Sequence, residues 1–110
     1  AAAKARALKL AEGYSPPEPY ELHLPGQTGQ TALDLGVRDF INKGVASPHD
    51  GVIAHELAFV LSGGNTDAQE PVSEDQLLRL ERDVNLRLAR TPKTLARVEH
   101  MLKKGKPLRN

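Results

Sequence analysis

Four histidines are the side chains of this sequence best suited to metal binding or proton transfer: His23, His49, His55 and His100. Two metal ligands on one helix face need the spacing His-x-x-x-His, which no pair of these histidines has. His55-Glu56 matches the first half of the zinc motif His-Glu-x-x-His, but Phe59 stands where the second histidine belongs. The absence of cysteine excludes disulfides, thiolate nucleophiles and Cys-bound zinc or iron–sulfur clusters. We therefore predict no metal site and expect the histidines to face solvent or to cap helices.

Ser47, His49 and Asp50 have the residue types of a nucleophile, base and acid. They lie together at the start of a predicted helix, where Ser47 suits the N-cap and Asp50 suits the positive end of the helix dipole. Pro48 suits the first helical position between them. Capping therefore explains these residues without catalysis. Gly63-Gly64 follows no strand and lacks the spacing of a phosphate-binding loop, so we predict that it ends a helix.

Charge is distributed unevenly in a chain of 110 residues whose formal net charge is only +1. Residues 87–110 hold eight basic side chains and one acidic one, which leaves +7, whereas residues 1–86 hold seven basic and thirteen acidic ones, which leaves −6. Clustered Lys and Arg suit nucleic acid, an anionic lipid surface or a phosphorylated small ligand. Cations near the end of a terminal helix also simply complement its dipole. Both interpretations stay open from charge alone.

A helical pattern recurs in five segments, so the sequence predicts an all-α fold. The predicted starts of the second to fifth helices are, in order, Thr28, Ser47, Ser73 and Thr91. Proline follows Ser47 and Thr91 at the favoured first position, and Ser73 forms a capping box with Gln76. All helices but the fourth are predicted to end near glycines, namely Gly13, Gly44, Gly63 and Gly105. The short links favour two helical hairpins, packed on each other and on the first helix.

Apolar residues at helical spacing predict which faces turn inward. They are Leu33, Val37, Phe40 and Ile41 in the second helix, Ile53, Leu57, Val60 and Leu61 in the third, Leu77, Leu80, Val84 and Leu88 in the fourth, and Leu95, Val98 and Leu102 in the fifth. Aromatic residues make up only 4% of the chain, so Leu, Val and Ala must supply the core. Low aromatic content and an incomplete first helix predict an exposed apolar face that favours self-association.

The chain divides into three predicted segments. Residues 1–13 are interpreted as the end of a longer helix because no capping residue or Met precedes Ala1, although removal of an initiator Met is the alternative. Residues 14–27 form an extended connector, since three prolines remove backbone donors there. Glu21 to Leu24 allows at most a short edge strand, and no sheet is predicted. Residues 28–110 form the helical domain. No apolar run approaches the roughly 18 residues of a membrane span, so we expect a soluble, cytoplasmic chain.

The ten residues 101–110, Met-Leu-Lys-Lys-Gly-Lys-Pro-Leu-Arg-Asn, are the most specific part of a resemblance that extends over nearly the whole chain. With residues 80–88, 90–94, 97–100, 55–64 and 6–17, they resemble the C-terminal helices of the enoyl-CoA hydratase/isomerase (crotonase) superfamily. The resemblance is strongest to the end of long bacterial 3-hydroxyacyl-CoA dehydrogenases that carry a crotonase-like module. Val84 and Leu86 stand where crotonase tails often carry phenylalanine, so an aromatic contact to the ligand is not transferred.

This resemblance implies a role in fatty-acid β-oxidation, in a parent enzyme that hydrates enoyl-CoA and oxidises 3-hydroxyacyl-CoA with NAD. It places the NAD-binding glycines, the dehydrogenase His–Glu pair and the hydratase site before Ala1, so we expect neither catalytic residues nor a cofactor in this chain. Crotonase C-terminal helices cover an acyl-CoA site in their own or a neighbouring subunit. Lys103, Lys104 and Lys106 are accordingly predicted to neutralise coenzyme A phosphates. The expected partners are the remainder of the parent polypeptide, acyl-CoA and a second copy in a homo-oligomer.

A small nucleic-acid-binding module is the alternative function. The turn at residues 89–92 can be aligned with a helix-turn-helix, in which Lys93, Thr94 and Arg97 would begin the recognition helix. Against this alternative, the turn lacks the expected glycine, and Lys and Arg are densest at the far end of the fifth helix. We therefore favour the hypothesis that the chain is part of a β-oxidation enzyme.

Overall fold

Five helices and one small sheet make up the fold of this chain. The computed structural model describes residues 1–110, with the elements in the order α1 (Ala2–Ala11), β1 (Glu21–His23), α2 (Gly26–Asn42), α3 (Pro48–Leu61), β2 (Pro71–Ser73), α4 (Glu74–Ala89) and α5 (Pro92–Lys104). The mainly helical fold expected from periodicity is confirmed. None of the helices combines the length and the apolar character that crossing a membrane requires.

Side-chain caps set the starts of α3 and α4 as the sequence predicts. The Ser47 Oγ accepts from the Asp50 N–H at 3.1 Å, and the Asp50 carboxylate accepts from the Ser47 N–H at 2.8 Å. Ser73 and Gln76 make the same reciprocal pair at the start of α4. Each box satisfies N–H groups that the first helical turn leaves without partners.

The helix α5 begins and ends at the predicted residues, but Thr91 does not cap it with its side chain. The Thr91 hydroxyl instead donates to the main-chain oxygen of Leu88, 2.7 Å away. At the other end, Gly105 has φ 65°, a left-handed conformation that glycine adopts without steric cost. The chain therefore turns sharply after Lys104.

A two-stranded antiparallel sheet corrects the expectation that the connector contains no sheet. β1 pairs with β2 in the register Glu21 with Ser73, Leu22 with Val72 and His23 with Pro71. Val72 is buried, so the sheet anchors the connector to the start of α4. The strands have three residues each and lie about fifty residues apart in sequence, too short and too distant for alternation to indicate the pairing.

The second helix begins at Gly26, two residues before the predicted Thr28. The main chain at the end of α3 accepts a hydrogen bond from the first turn of α2, which accounts for the earlier start. The Gly26 N–H donates to the main-chain oxygen of Ser62 at 2.7 Å. Gly26 has φ 58°, and a Cβ there would lie 1.7 Å from the main-chain oxygen of Thr66. Only glycine can bring these two segments so close together.

The predicted hairpin of α2 and α3 is present, and α4 packs against α3. In contrast, every residue of α1 is exposed, so the prediction that the hairpins pack on the first helix is wrong. Its alanine-rich sequence favours a helix but supplies little apolar surface for docking. A turn at residues 12–13 and residues 14–20, which form neither helix nor strand and include three prolines, separate α1 from the sheet.

The apolar helix faces predicted to turn inward enclose only a small hydrophobic core. Ala58, Val72 and Val84 are the only buried hydrophobic residues, and Leu102 on α5 is 83% exposed. The accessible surface is 8648 Å², against roughly 6000 Å² for a compact monomer of this mass. The radius of gyration is 19.0 Å, against about 13 Å for a compact domain of this length. Much apolar surface of the helices therefore has no partner within the chain.

Candidate functional site

The three lysines expected to meet phosphate lie together where α5 ends. Lys103 and Lys104 are in its last turn, Lys106 follows the turn at Gly105, and all three side chains are exposed. The Lys103 ammonium is paired with Glu99 one turn earlier. Lys104 and Lys106 make no hydrogen bond or ion pair within the chain. Two of the three charges are therefore free to meet an anion.

Residues 105–110, which we call the tail, fold back along α5. The Asn110 side-chain nitrogen donates to the main-chain oxygen of Lys93 at 3.0 Å. The Arg97 Nε donates to the Asn110 Oδ1 at 2.6 Å. Leu108 is half-buried and, with Ala96 and His100, lines a small cavity of about 210 Å³ beside α5. Lys106 and Arg109 are exposed, and Leu108 between them lines the same cavity as Lys103 and Lys104.

A polar cluster of four residues, Ser47, Asp50, Arg97 and Asn110, joins the tail and α5 to the start of α3. The Arg97 Nη1 donates to the Asp50 Oδ1 at 2.7 Å, and Nη2 donates to the Ser47 Oγ at 3.2 Å. The Ser47 N–H and the Arg97 guanidinium stabilise the charged carboxylate and lower the pKa of Asp50 to about 2. Asp50 is therefore ionised throughout the physiological pH range.

His49 is buried, which corrects the expectation that this histidine faces solvent or caps a helix. Its Nε2 lies 3.0 Å from the Thr94 hydroxyl of α5, which in turn lies 2.7 Å from the Thr91 hydroxyl. Burial lowers the pKa of His49, and the cations of Arg97 and Lys93 lower it further. The residue joins α3 to α5 as a neutral side chain. No local pattern indicates this contact, because its partners lie 45 residues apart.

A second histidine, His55, lies beside a groove of about 590 Å³ between α2 and α3. Its Nδ1 is 2.9 Å from the Asp34 carboxylate, and its Nε2 is 3.4 Å from the Gln30 side-chain nitrogen. Both ring nitrogens are engaged within the chain. No hydroxyl, thiol or lysine lines the groove, so the pair of His55 and Asp34 has no side-chain nucleophile to activate there.

Gly63-Gly64 and His23 have structural roles. The N–H groups of Gly63 and Gly64 donate to the main-chain oxygens of Val60 and Phe59, so this pair closes α3 and follows no strand. These residues do not fit the phosphates of a dinucleotide such as NAD. His23 Nδ1 lies 3.1 Å from the main-chain oxygen of Ala68. No group of three or more His, Cys, Asp or Glu side chains is arranged to hold a metal ion.

The residues required by the helix-turn-helix alternative are engaged inside the chain. Arg97 is bound to Asp50, Ser47 and Asn110, and Thr94 is bound to His49. A recognition helix must present such side chains to base edges. Of the three proposed contacts, only Lys93 is exposed. The geometry therefore disfavours nucleic-acid recognition by this turn.

An apolar groove of about 400 Å³ lies between α3 and α4. Leu57, Leu61 and Leu88 contribute to its walls. Leu57 and Leu61 belong to the predicted inner face of α3, but both are exposed. This groove and the exposed side of α5, which carries Leu95 and Leu102, leave apolar surface uncovered.

Comparison with known proteins gives one curated relative to consider. The chain is 44% identical over 98 residues to a protein of Bacillus subtilis (strain 168) described as a probable 3-hydroxyacyl-CoA dehydrogenase. The matched region is 89% of this chain but only 12% of that protein's length. No protein-family model matches the chain, and no solved structure matches it. The chain is thus similar to a small part of a much longer protein.

Proposed function

We propose that this chain is a helical, non-catalytic part of a longer β-oxidation enzyme with 3-hydroxyacyl-CoA dehydrogenase activity, and that it covers or packs on the acyl-CoA site. The observation that carries the proposal is the 44% identity, over 98 residues, to the probable dehydrogenase. A hydratase module in the same enzyme is suggested by the crotonase-like residues 101–110. NAD would bind elsewhere in that enzyme.

The open fold supports a docking role. The accessible surface exceeds that of a compact monomer by roughly 2600 Å². Docking that removed this surplus from the chain would bury roughly 5000 Å² over both partners, at the upper end of the roughly 2000 to 5000 Å² of permanent interfaces. The uncovered leucines of α3 and α5 supply the apolar part of such an interface. The occupant we propose is the remainder of the same polypeptide, in one subunit or in its homo-oligomer.

The lysines of the α5 end supply the proposed contact to acyl-CoA. Lys104 and Lys106 carry ammonium groups without partners, and Lys103 can exchange Glu99 for a phosphate. Lysine acts on phosphate as a point charge and does not need the fixed geometry of arginine. The C-terminal end of a helix repels anions, so the lysines must outweigh the dipole of α5. The contact should therefore be strongly dependent on salt.

The triple variant Lys103→Gln/Lys104→Gln/Lys106→Gln, made in the full-length enzyme, tests this proposal. We expect KM for acyl-CoA to rise about five- to tenfold at low salt, at roughly 0.3 to 0.5 kcal/mol per exposed charge. The value of kcat should stay unchanged, because the lysines lie outside the chemistry. The increase in KM should shrink at 1 M salt, where the Debye length is only about 3 Å.

A matched control removes three exposed cations elsewhere, with Lys4→Gln/Arg6→Gln/Lys9→Gln on α1. This control should leave KM near the wild-type value. If KM is unchanged in the α5 variant at both low and moderate salt, or if both triple variants raise it equally, the proposed contact to acyl-CoA is wrong.

A further inference from the structure

We propose that Arg97 is a positioning residue, which holds the tail against α5 so that Lys106 and Arg109 join Lys103 and Lys104 on one cationic face. This inference rests on the proposed function and identifies how the ligand-facing charges are arranged. It concerns a residue that touches neither ligand nor reacting atoms. Its role is to fix where other side chains lie.

One guanidinium connects three parts of the chain. Besides its bonds to Asp50 and Ser47 at the start of α3, Arg97 donates to Asn110 twice, from Nε to Oδ1 at 2.6 Å and from Nη2 to the main-chain oxygen at 3.2 Å. The Arg97 side chain is only 22% exposed. A planar fork with several donors suits such a multiple contact, which the single ammonium of lysine cannot reproduce.

The tail is just long enough for Asn110 to reach Arg97 and Lys93, so these hydrogen bonds determine the path of the tail. Five steps from Gly105 to Asn110 cover about 16 Å when extended. Along α5, the eight residues back to Arg97 cover about 12 Å and the twelve back to Lys93 about 18 Å, at 1.5 Å per residue. The observed contacts of Asn110 with Arg97 and Lys93 therefore require a nearly extended tail, antiparallel to α5.

The local packing of the tail is too weak to hold it without these bonds. Leu108 is its only half-buried apolar side chain, and no main-chain N–H of residues 106–110 donates to another main-chain group. Without the Arg97 fork, Asn110 would keep only the hydrogen bond from its side-chain nitrogen to the main-chain oxygen of Lys93, so we expect residues 105–110 to become more mobile. Lys106 and Arg109 would then sample many positions, and each would contribute less to binding an anion.

The positional role can be measured with a nitroxide on the exposed Pro107, as Pro107→Cys in a full-length enzyme otherwise free of cysteine. This chain itself contributes no cysteine. We expect a broadened, immobilised spectrum in the wild-type background. Arg97→Gln and Asn110→Ala should each sharpen it. Asn110→Ala leaves the Arg97 bonds to Asp50 and Ser47 available, so this variant tests the tail without breaking the link between α5 and α3.

The same two variants, without the nitroxide, should raise KM for acyl-CoA about threefold at low salt, within the range for one or two exposed charges. The value of kcat should not change, and the effect should vanish at 1 M salt. Arg87→Gln is the matched control, because Arg87 also pairs with a carboxylate, that of Glu56, but does not contact the tail. It should leave both the spectrum and the salt dependence of KM as in the wild type.

Two outcomes would overturn the inference. One is a nitroxide that stays immobilised in both variants. The other is a mobile nitroxide with unchanged KM, in an enzyme whose triple lysine variant does raise KM. If the triple lysine variant has no effect, the proposed contact to acyl-CoA fails by itself, and the nitroxide spectrum still decides whether Arg97 positions the tail.

Discussion

The carboxylate of Asp50 accepts hydrogen bonds from the start of α3 and from α5. Its Oδ2 accepts from the Ser47 N–H in the first turn of α3, and its Oδ1 accepts from Arg97 of α5. The first contact spans three residues and follows from capping rules, so the sequence predicts it. The second spans 47 residues and depends on where α5 docks. Local side-chain roles were predictable here, and the assembly of the polar cluster was not.

His49 gives a test at the scale of single residues. Because its pKa is lowered in the folded state, the unfolded chain takes up a proton first as pH falls through the ordinary value of 6.5. Unfolding is then favoured, so the stability that neutral His49 contributes is present above that pH and is lost below it. The free energy of unfolding should therefore decrease from pH 7.5 to 5.5.

The variant His49→Gln should flatten this pH dependence, as measured by urea unfolding of the purified protein at several pH values. His23→Gln, at an exposed histidine, serves as the control and should retain the wild-type slope. An equal slope in wild type and His49→Gln would contradict the assigned burial of His49.

At the scale of elements, helix starts and ends were largely predictable because caps, prolines and glycines act within one turn. Ser73 and Gln76 are an example, since the pair defines the start of α4 from residues three apart. The sheet escaped prediction because its pairing is non-local. The early start of α2 escaped for the same reason, since the Gly26 N–H donates to Ser62 and its backbone lies against Thr66.

Gly26 provides the test at this scale. Gly26→Ala places a methyl group against the main-chain oxygen of Thr66 in addition to the left-handed strain. We expect a loss of about 3 kcal/mol or more in the free energy of unfolding. Gly44→Ala is the matched control, because Gly44 is also left-handed, with φ 69°, but has open space around its Cβ position. It should cost only about 1 to 2 kcal/mol. Equal losses in urea unfolding would mean that the close contact with the main chain at Thr66 does not require glycine at this position.

At the scale of the whole molecule, periodicity identified apolar faces but not what covers them. The predicted face of α4 contains the buried Val84, whereas Leu95, Val98 and Leu102 of α5 are all exposed. A stripe of leucines has the same sequence pattern whether it packs within the chain or against another body. Only the three-dimensional structure shows which of these apolar faces are buried in the core of the chain and which remain exposed.

Leu102→Ser tests whether that surface is used. Leu102 is 83% exposed, so the substitution should hardly change the stability of this chain alone. In the full-length enzyme it should cost about 1 to 2 kcal/mol, if docking buries the side chain. Val84→Ala is the control, because Val84 is already buried within the chain, and it should destabilise both forms alike. Thermal unfolding of both forms checks this prediction. If Leu102→Ser hardly changes the stability of the full-length enzyme, the side of α5 that carries Leu102 is not a docking surface.

The proline-rich segment before β1 gives the molecule a built-in spacer. Polyproline-like backbone advances about 3.1 Å per residue and bends little over several residues, so residues 14–20 can hold α1 up to roughly 20 Å from the sheet. A partner bound to α1 would therefore lie apart from the helical domain, with this spacer between it and β1.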